Sequence, residues 1–387
     1  MHDDVARAAV GLAVELVRID SVNPALVPGA AGEAEIVAHL ARRLDAQGFD
    51  VEVVQAARRP SLLARRPGTG HGRAVLLNGH VDTVGVEGMP EPFAGRVDGD
   101  RLLGRGACDM KGGVAGLVAA AEAVAARGVA GDVLLALVAD EEHGSLGTDA
   151  VLAHLGGRLP DACIVGEPTG LDLAAAHRGY ALVDVTLTGR AAHSSQPELG
   201  VNAVTHLGRL LAAVEARGAE LAGARTHPLL GSGSLQATTA SGGSSAFVVP
   251  ESAHALVERR TLPGERAADA LGEVERILTG LRERDPSVHA VAVLGLAREA
   301  WQHDPSSPAG GRLTRELTAA LEAHGHTPDS VGLPYWMESA LWQGAGVPTI
   351  VCGPGGGGLH AADEWVDLDQ VRRYASALVD TLTAFCA

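Results

Sequence analysis

The sequence is poor in aromatic residues: 4 Trp, 3 Tyr and 4 Phe among 387 positions, or 3%. The core of so long a chain must therefore close on Ala, Val and Leu. Cysteine is also sparse. Its four copies, Cys108, Cys163, Cys352 and Cys386, lie far apart and form no CxxC pair, which argues against a disulfide framework or a structural zinc finger. No apolar run reaches the roughly 18 residues of a membrane span. The opening segment MHDDVARAAVGLAVELVRID lacks the basic start, apolar run and small-residue cleavage site of a signal peptide, so the cytoplasm is the simplest location. Basic charge is in deficit: 31 Lys and Arg stand against 47 Asp and Glu, a formal net charge of −16. A nucleic-acid binder needs a basic surface to neutralise phosphates, and an anionic membrane needs the same, so neither is expected as a partner.

What remains is an ordinary globular composition, with 46% hydrophobic and 20% charged residues. Gly, at 50 residues, falls mostly between apolar runs and marks turns. The length suggests two or three domains. Helical spacing appears at 5–18, 33–47 and 111–126. The runs 74–77, 133–139, 162–165 and 349–352 are apolar without alternation, as in strands buried on both faces. Alternating strands and helices imply an α/β sheet flanked by helices. The middle differs. Residues 180–188 alternate as a half-exposed antiparallel strand does, with further strands expected at 246–249, 253–259 and 288–296 and helices at 202–216 and 267–284. This reads as a small α+β domain at 177–296, inserted into a catalytic domain of 1–176 and 297–387.

Four of the apolar strands run directly into acidic residues or His: 74–77 into His80 and Asp82, 133–139 into Asp140, Glu141 and Glu142, 162–165 into Glu167, and 349–352 through a glycine loop into His360. A fifth segment, Gly104–Gly113, places Asp109 just before a helix. Open α/β sheets bind ligands at the carboxyl ends of their strands, so the five segments can converge. Two His and several carboxylates, with no thiolate, suit borderline or hard divalent metals such as Zn, Co or Mn. Clustered carboxylates repel unless a cation neutralises them. Two metals sharing a carboxylate would do so, and a spare carboxylate beside them can act as general base.

His80-Val81-Asp82-Thr83-Val84, Gly104–Gly113, Asp140-Glu141-Glu142 with Gly144-Ser145-Leu146-Gly147, Gly166-Glu167-Pro168-Thr169, and Gly353-Pro354-Gly355 ahead of His360 occur in one order along the chain. Together they resemble the dizinc amidohydrolase family that includes acetylornithine deacetylase, succinyl-diaminopimelate desuccinylase, aminoacylase and bacterial glutamate carboxypeptidases. The resemblance runs from about residue 10 to the C-terminus, as one motif set rather than any single motif. It implies a zinc-exopeptidase-like catalytic domain with an inserted lid, usually also the surface of a homodimer, and a small N-acyl amino acid or short peptide as substrate.

It also implies roles. His80 and Glu167 would hold one metal, Glu142 and His360 the other, and Asp109 would bridge both, followed by a cis peptide bond. Asp82 would hold the His80 ring from behind. Glu141 would take the proton of the bridging water and return it to the leaving nitrogen. In the lid, Gly189–Ser195 matches a histidine motif, so His193 would stabilise the oxyanion. Glu258–Gly264 matches a motif in which Arg260 would clamp a substrate carboxylate. Asn202 would face the substrate, and Gly355 and Gly356 would offer backbone N–H groups to the same carboxylate.

The sequence departs from the family pattern at Phe247, where the lid usually carries Asn, and at Met337-Glu338-Ser339-Ala340. Tyr335, Trp336 and Trp342, in a chain with so few aromatics, point to an apolar or aromatic substrate pocket. Blander readings stand beside the sharp ones: Asp140-Glu141-Glu142 as a solvated loop, Glu167 as a turn residue, His193 as a strand cap, Arg259 and Arg260 as surface charges, and Gly353–Gly358 as a flexible loop. A deacylase leads, a dipeptidase or carboxypeptidase follows, and a non-catalytic metal-binding protein is the reading from another class. An intact Glu141 speaks against the last, since a pure binder has no need of a base.

Overall fold

A computed structural model describes residues 2–387. The chain forms two compact units. One comprises the residues up to Ala175, His303–Val331 and Met337–Ala387; the other comprises Ala176–Gln302 and Gly332–Trp336.

The first unit is built on a mixed sheet. Its strands run in the order Asp50–Ala56, Arg59–Arg66, Val133–Val138, Val75–His80, Ala162–Val165, Thr349–Val351 and Leu173–His177. The four from Val133–Val138 to Thr349–Val351 are parallel, and every residue in them is buried. That explains their unbroken apolar sequences: helices cover a parallel sheet on both faces, leaving no polar side to alternate with. The Asp50–Ala56 and Arg59–Arg66 strands add an antiparallel hairpin at the edge.

Helix His2–Val17 buries Val5, Ala9, Leu12, Ala13, Leu16 and Val17, spaced three and four apart as an amphipathic helix requires. Gly112–Arg127 is buried almost all round, and its small residues permit close approach. A Cβ on Gly113 would lie 2.1 Å from the Gly166 carbonyl oxygen, so only glycine lets this helix approach the segment that carries Glu167. The terminal helix Leu368–Phe385 begins at Asp367, whose carboxylate accepts the Asp369 and Gln370 N–H groups. No helix among the described residues is long and apolar enough to cross a membrane.

The second unit is an antiparallel sheet in the order Ser234–Gly242, Ser252–Thr261, Gly179–Thr188 and His289–Arg298. Ala181, Val183, Val185 and Leu187 alternate into a core that includes residues of helices Ala203–Ala222 and Asp269–Arg284. Two expectations fail here. Residues 246–249 form no strand: Phe247 sits at φ +66° and is 77% exposed, and only Val248 bridges across, to His193. Ser234–Gly242 is a strand with no counterpart among the expected elements. Its sequence buries only Leu235, so it carries no apolar run to betray it.

The fold is thus α/β, with a mainly parallel central sheet and a separate antiparallel α+β unit.

Candidate active site

Parallel register decides where the acidic segments go. His80 is level with Val138, and Asn78 with Val165. The residues that follow these strands therefore emerge at one end of the sheet, where Asp140–Glu142 and Glu167 meet His80. Asp109 reaches the same place from the turn before helix Gly112–Arg127, and the Asp109–Met110 peptide bond is cis.

The geometry is two-sided. His80 Nε2 lies 3.0 Å from Asp109 Oδ1 and 3.8 Å from Glu167 Oε1. His360 Nε2 lies 3.3 Å from Asp109 Oδ2 and 3.1 Å from Glu142 Oε2. Each oxygen of Asp109 thus faces a different imidazole. Two overlapping donor groups, His80 with Asp109 and Glu142, and His80 with Glu141 and Glu167, have their ligand atoms within 4.8 Å of one another.

The electrostatics show what such a site needs. Burial, joined by the charges of Glu167, Glu142 and Glu338, pushes Glu141 well above the usual carboxylate range, against the pull of His80. Burial and Asp109 do the same to Glu167 and, less strongly, to Glu142. Burial opposes the charge on Asp109 too, but hydrogen bonds from His360 and His80 hold its carboxyl below the ordinary range. The His360 ring, bonded to Asp109 and Glu142, is raised to about 10. Burial disfavours a charged His80, yet Asp109, Glu167 and Glu141 drive it well above its usual value. The cluster is short of positive charge, and only protons relieve it. Imidazole and carboxylate donors in this arrangement fit two divalent cations, which would supply that charge without them.

Asp82 does more than the sequence suggests, and differently. The His80 Nδ1 faces the Asp82 backbone carbonyl at 3.0 Å, with the carboxylate farther off at 3.7 Å. That carboxylate instead accepts the N–H groups of Glu141 at 3.0 Å and Glu142 at 3.2 Å, and the Asn23 amide at 2.8 Å. The Asp82 carboxylate therefore holds the loop of the two glutamates, while its backbone carbonyl meets the imidazole. Asn23 also donates to Asp140 at 3.2 Å, and Arg59 ties Asp140 to Glu33.

Three further residues escaped the sequence reading. Glu364 is buried and pairs with Arg105 at 2.6 Å. Its carboxylate also accepts the N–H groups of Gly106 at 3.0 Å, Cys108 at 2.9 Å and Asp109 at 3.1 Å, so it fixes the turn that aims Asp109. Asn23 is the second. Glu338 is the third: it is 1% exposed and lies beside Thr148 and Asn78. Burial pushes its carboxyl up to about 7, against the pull of Thr148, His80 and Asn78. The only sequence signal for any of them was the departure at Met337–Ala340.

A raised carboxyl has a stability consequence. Between the ordinary pKa of 4.5 and about 7, folded Glu338 keeps a proton that the unfolded chain releases, so stability falls as pH rises through that window. At about 1.4 kcal/mol per unit, the cost above the window is up to about 3 kcal/mol. Metal-free Glu338→Gln is expected to match the wild type at about pH 4, below the window, and to exceed it at pH 8 in urea unfolding. A variant no more stable than the wild type at pH 8 would contradict this account.

The lid residues belong to the second unit. His193 is exposed, and its Nδ1 accepts the Ser195 N–H at 3.2 Å and lies 2.7 Å from the Ser195 hydroxyl. Both contacts fall on Nδ1. Arg260 pairs with Glu258, and its guanidinium lies 5.4 Å over the Tyr180 ring. Arg259 is buried between Glu273 at 2.9 Å and Glu265 at 3.2 Å, which makes it a structural ion pair. Asn202 caps helix Ala203–Ala222: its side-chain oxygen accepts the Thr205 N–H at 3.0 Å.

The glycine loop also needs correction. The Gly355 N–H donates to Gln370 Oε1 at 2.8 Å, so it is not free for a ligand. Gly356 pairs with Val366 in a short antiparallel ladder. The aromatic pocket is corrected as well. Trp342 is fully buried, and Trp336 is 7% exposed with its indole N–H donating to the Glu299 carbonyl. Both are packing residues, and only Tyr335 is open to solvent. The four cysteines are buried free thiols, which burial holds above their ordinary range.

Comparison with known proteins identifies a family. Residues 76–384 match the family described as Peptidase family M20/M25/M40. A succinyl-diaminopimelate desuccinylase of Acidiphilium cryptum is 33% identical over 385 residues, covering 95% of each chain. An acetylornithine deacetylase of Myxococcus xanthus is 30% identical over 359 residues, covering 89% of this chain and 90% of its own. The fold is also that of the YXEP protein of Bacillus subtilis, a dinuclear metal binding peptidase, with a TM-score of 0.73 at 16% identity over 99% of each chain. With the family matched across most of its length and relatives aligned nearly end to end, the chain belongs to peptidase family M20/M25/M40 and is a hydrolase of that family.

Proposed function

We propose that the protein hydrolyses the amide bond of a small N-acyl amino acid, as an acetylornithine deacetylase does. The observation that carries this is Asp109, which presents one oxygen to His80 and the other to His360, with Glu141 beside them. His80 and Glu167 would hold one divalent cation, Glu142 and His360 a second, and Asp109 both. Zinc suits this donor set first, with cobalt or manganese also accommodated. Two such cations supply Lewis-acid polarisation of a carbonyl and acidify a water.

The protein's own groups do the rest. Glu141, driven up by burial and by neighbouring carboxylates, is tuned to take a proton from water and return it to the leaving nitrogen. His193, whose ring is held through Nδ1 by Ser195, is suited to donate to the oxyanion. Arg260, steadied by Glu258 and Tyr180, suits a substrate carboxylate. Asp82 and Glu364 orient the loops that carry these carboxylates and touch no substrate themselves.

The relatives from Acidiphilium cryptum and Myxococcus xanthus, at 33% and 30% identity, are named for removing acyl groups, which favours the deacylase over a dipeptidase or carboxypeptidase. A homodimer through the antiparallel unit belongs to the same reading. Its edge strand His289–Arg298 bares Val291 and Val293, an edge that a second chain can cover.

Amine release from N-acetyl and N-succinyl amino acids and from dipeptides tests the proposal, with zinc- or cobalt-loaded protein whose mass is checked by sedimentation. Turnover of an N-acyl amino acid by a particle of twice the chain mass is expected. Faster dipeptide cleavage would move the assignment to a peptidase. Silence on every amide, with metal confirmed bound, would reject the hydrolytic role.

A further inference from the structure

A second donor cluster lies outside the site at the strand ends. His2 opens helix His2–Val17, His324 is the residue that ends helix Pro308–Ala323, and Asp380 projects from helix Leu368–Phe385. The two imidazoles approach one carboxylate from its two oxygens. His324 Nε2 lies 2.8 Å from Asp380 Oδ2, and His2 Nε2 lies 3.5 Å from Asp380 Oδ1. The rings meet edge to face at 4.9 Å between centroids. One ligand atom from each of the three residues fits within a span of 4.8 Å.

From this arrangement we propose a third metal site, specific for a borderline divalent cation such as zinc, that joins the three helices. Two imidazoles and one carboxylate are a zinc donor set, and solvent can complete a tetrahedron. Donors at about 2.0–2.2 Å from a tetrahedral zinc stand roughly 3.3 Å apart, and the two measured approaches to Asp380 bracket that value. Side-chain exposures of 39%, 20% and 42% for His2, His324 and Asp380 leave the cluster open to an ion while keeping the rings packed.

Hydrogen bonding alone explains only half of the cluster. His324 to Asp380 is a good hydrogen bond. The His2 ring has none among the described residues: its Nδ1 is buried without a partner, and its Nε2 is too far from Asp380. A cation between them gives His2 Nε2, not Nδ1, a partner and leaves the carboxylate neutralised, in a chain whose net charge of −16 already concentrates cations around it. The three donors come from residues 2, 324 and 380, so an ion held there ties the first turn of the chain to its last helix. Binding to the folded state alone then raises stability.

The test strips the full-length protein with a chelator, reloads it at micromolar free zinc, desalts it, and measures zinc per chain and the thermal midpoint. The wild type is expected to retain one zinc more than His324→Ala and one more than Asp380→Asn. Both variants should keep wild-type turnover, since neither residue belongs to the strand-end site. Reloading should raise the wild-type midpoint by at least about 2 °C more than that of either variant. The difference of one ion does not depend on how the strand-end site is filled, so the result stands whatever becomes of the hydrolase reading. Equal zinc content in the wild type and both variants would overturn the proposal.

Discussion

With zinc bound, Glu141→Gln is expected to lower kcat by about 10²–10⁴-fold while KM and zinc content stay near wild type. The amide keeps the shape of the side chain and loses the ability to take a proton. Three features make this the largest effect on turnover. Glu141 stands close to His80 and Glu167, where the reacting water would be. Burial and the facing carboxylates raise its proton affinity well above that of an ordinary carboxylate, as a base that accepts and returns a proton requires. Its backbone N–H is bonded to Asp82, which fixes its direction. The same closeness makes a competing prediction. Were Glu141 a metal ligand, zinc content would fall together with turnover. Metal analysis of the purified variant separates the two, and turnover at the wild-type rate would remove Glu141 from the mechanism.

Glu364→Ala is expected to cost about 3–5 kcal/mol of stability, the usual price of breaking a buried ion pair from one side. Arg105, 2% exposed, would be left without its carboxylate partner. The N–H groups of Gly106, Cys108 and Asp109 would lose their acceptor, each at about 1–3 kcal/mol before relaxation. Because the Asp109 N–H is one of them, the turn that aims the shared carboxylate should loosen and zinc retention should drop as well. Glu364→Gln keeps one carbonyl oxygen and should fall between the two. Urea unfolding and zinc content after desalting report both effects. A Glu364→Ala protein within 1 kcal/mol of wild type would show that this brace is idle.

The difference between what could and could not be read in advance has a physical basis. The parallel strands were legible because burial on both faces writes an unbroken apolar run, as in Val133–Val138. His80, Asp109, Glu142, Glu167 and His360 were legible because each follows such a run or sits in a compact motif, and the structure gathers them around Asp109. Asp82 was found but misread. Its position two residues after His80 suggests side chain holding side chain, whereas the backbone carbonyl meets the ring and the carboxylate serves Glu141 and Glu142. Glu364 and Asn23 were not legible at all. Each is a lone polar residue whose partners are distant in the chain, as far as 259 residues for Glu364 and Arg105. Trp336 and Trp342 were overread, because scarcity of aromatics made them look reserved for a ligand when they were filling the interior.

The donors on either side of Asp109 come from chain positions as far apart as His80 and His360. No fragment that ends before the Thr349–Val351 strand possesses the full set. On the proposed reading, cation capture at that site is a late event in the life of the polypeptide: a chain not yet extended past His360 would compete for a divalent cation no better than its scattered side chains do. On that reading, occupancy of the site reports that the chain has been made and folded at least as far as His360.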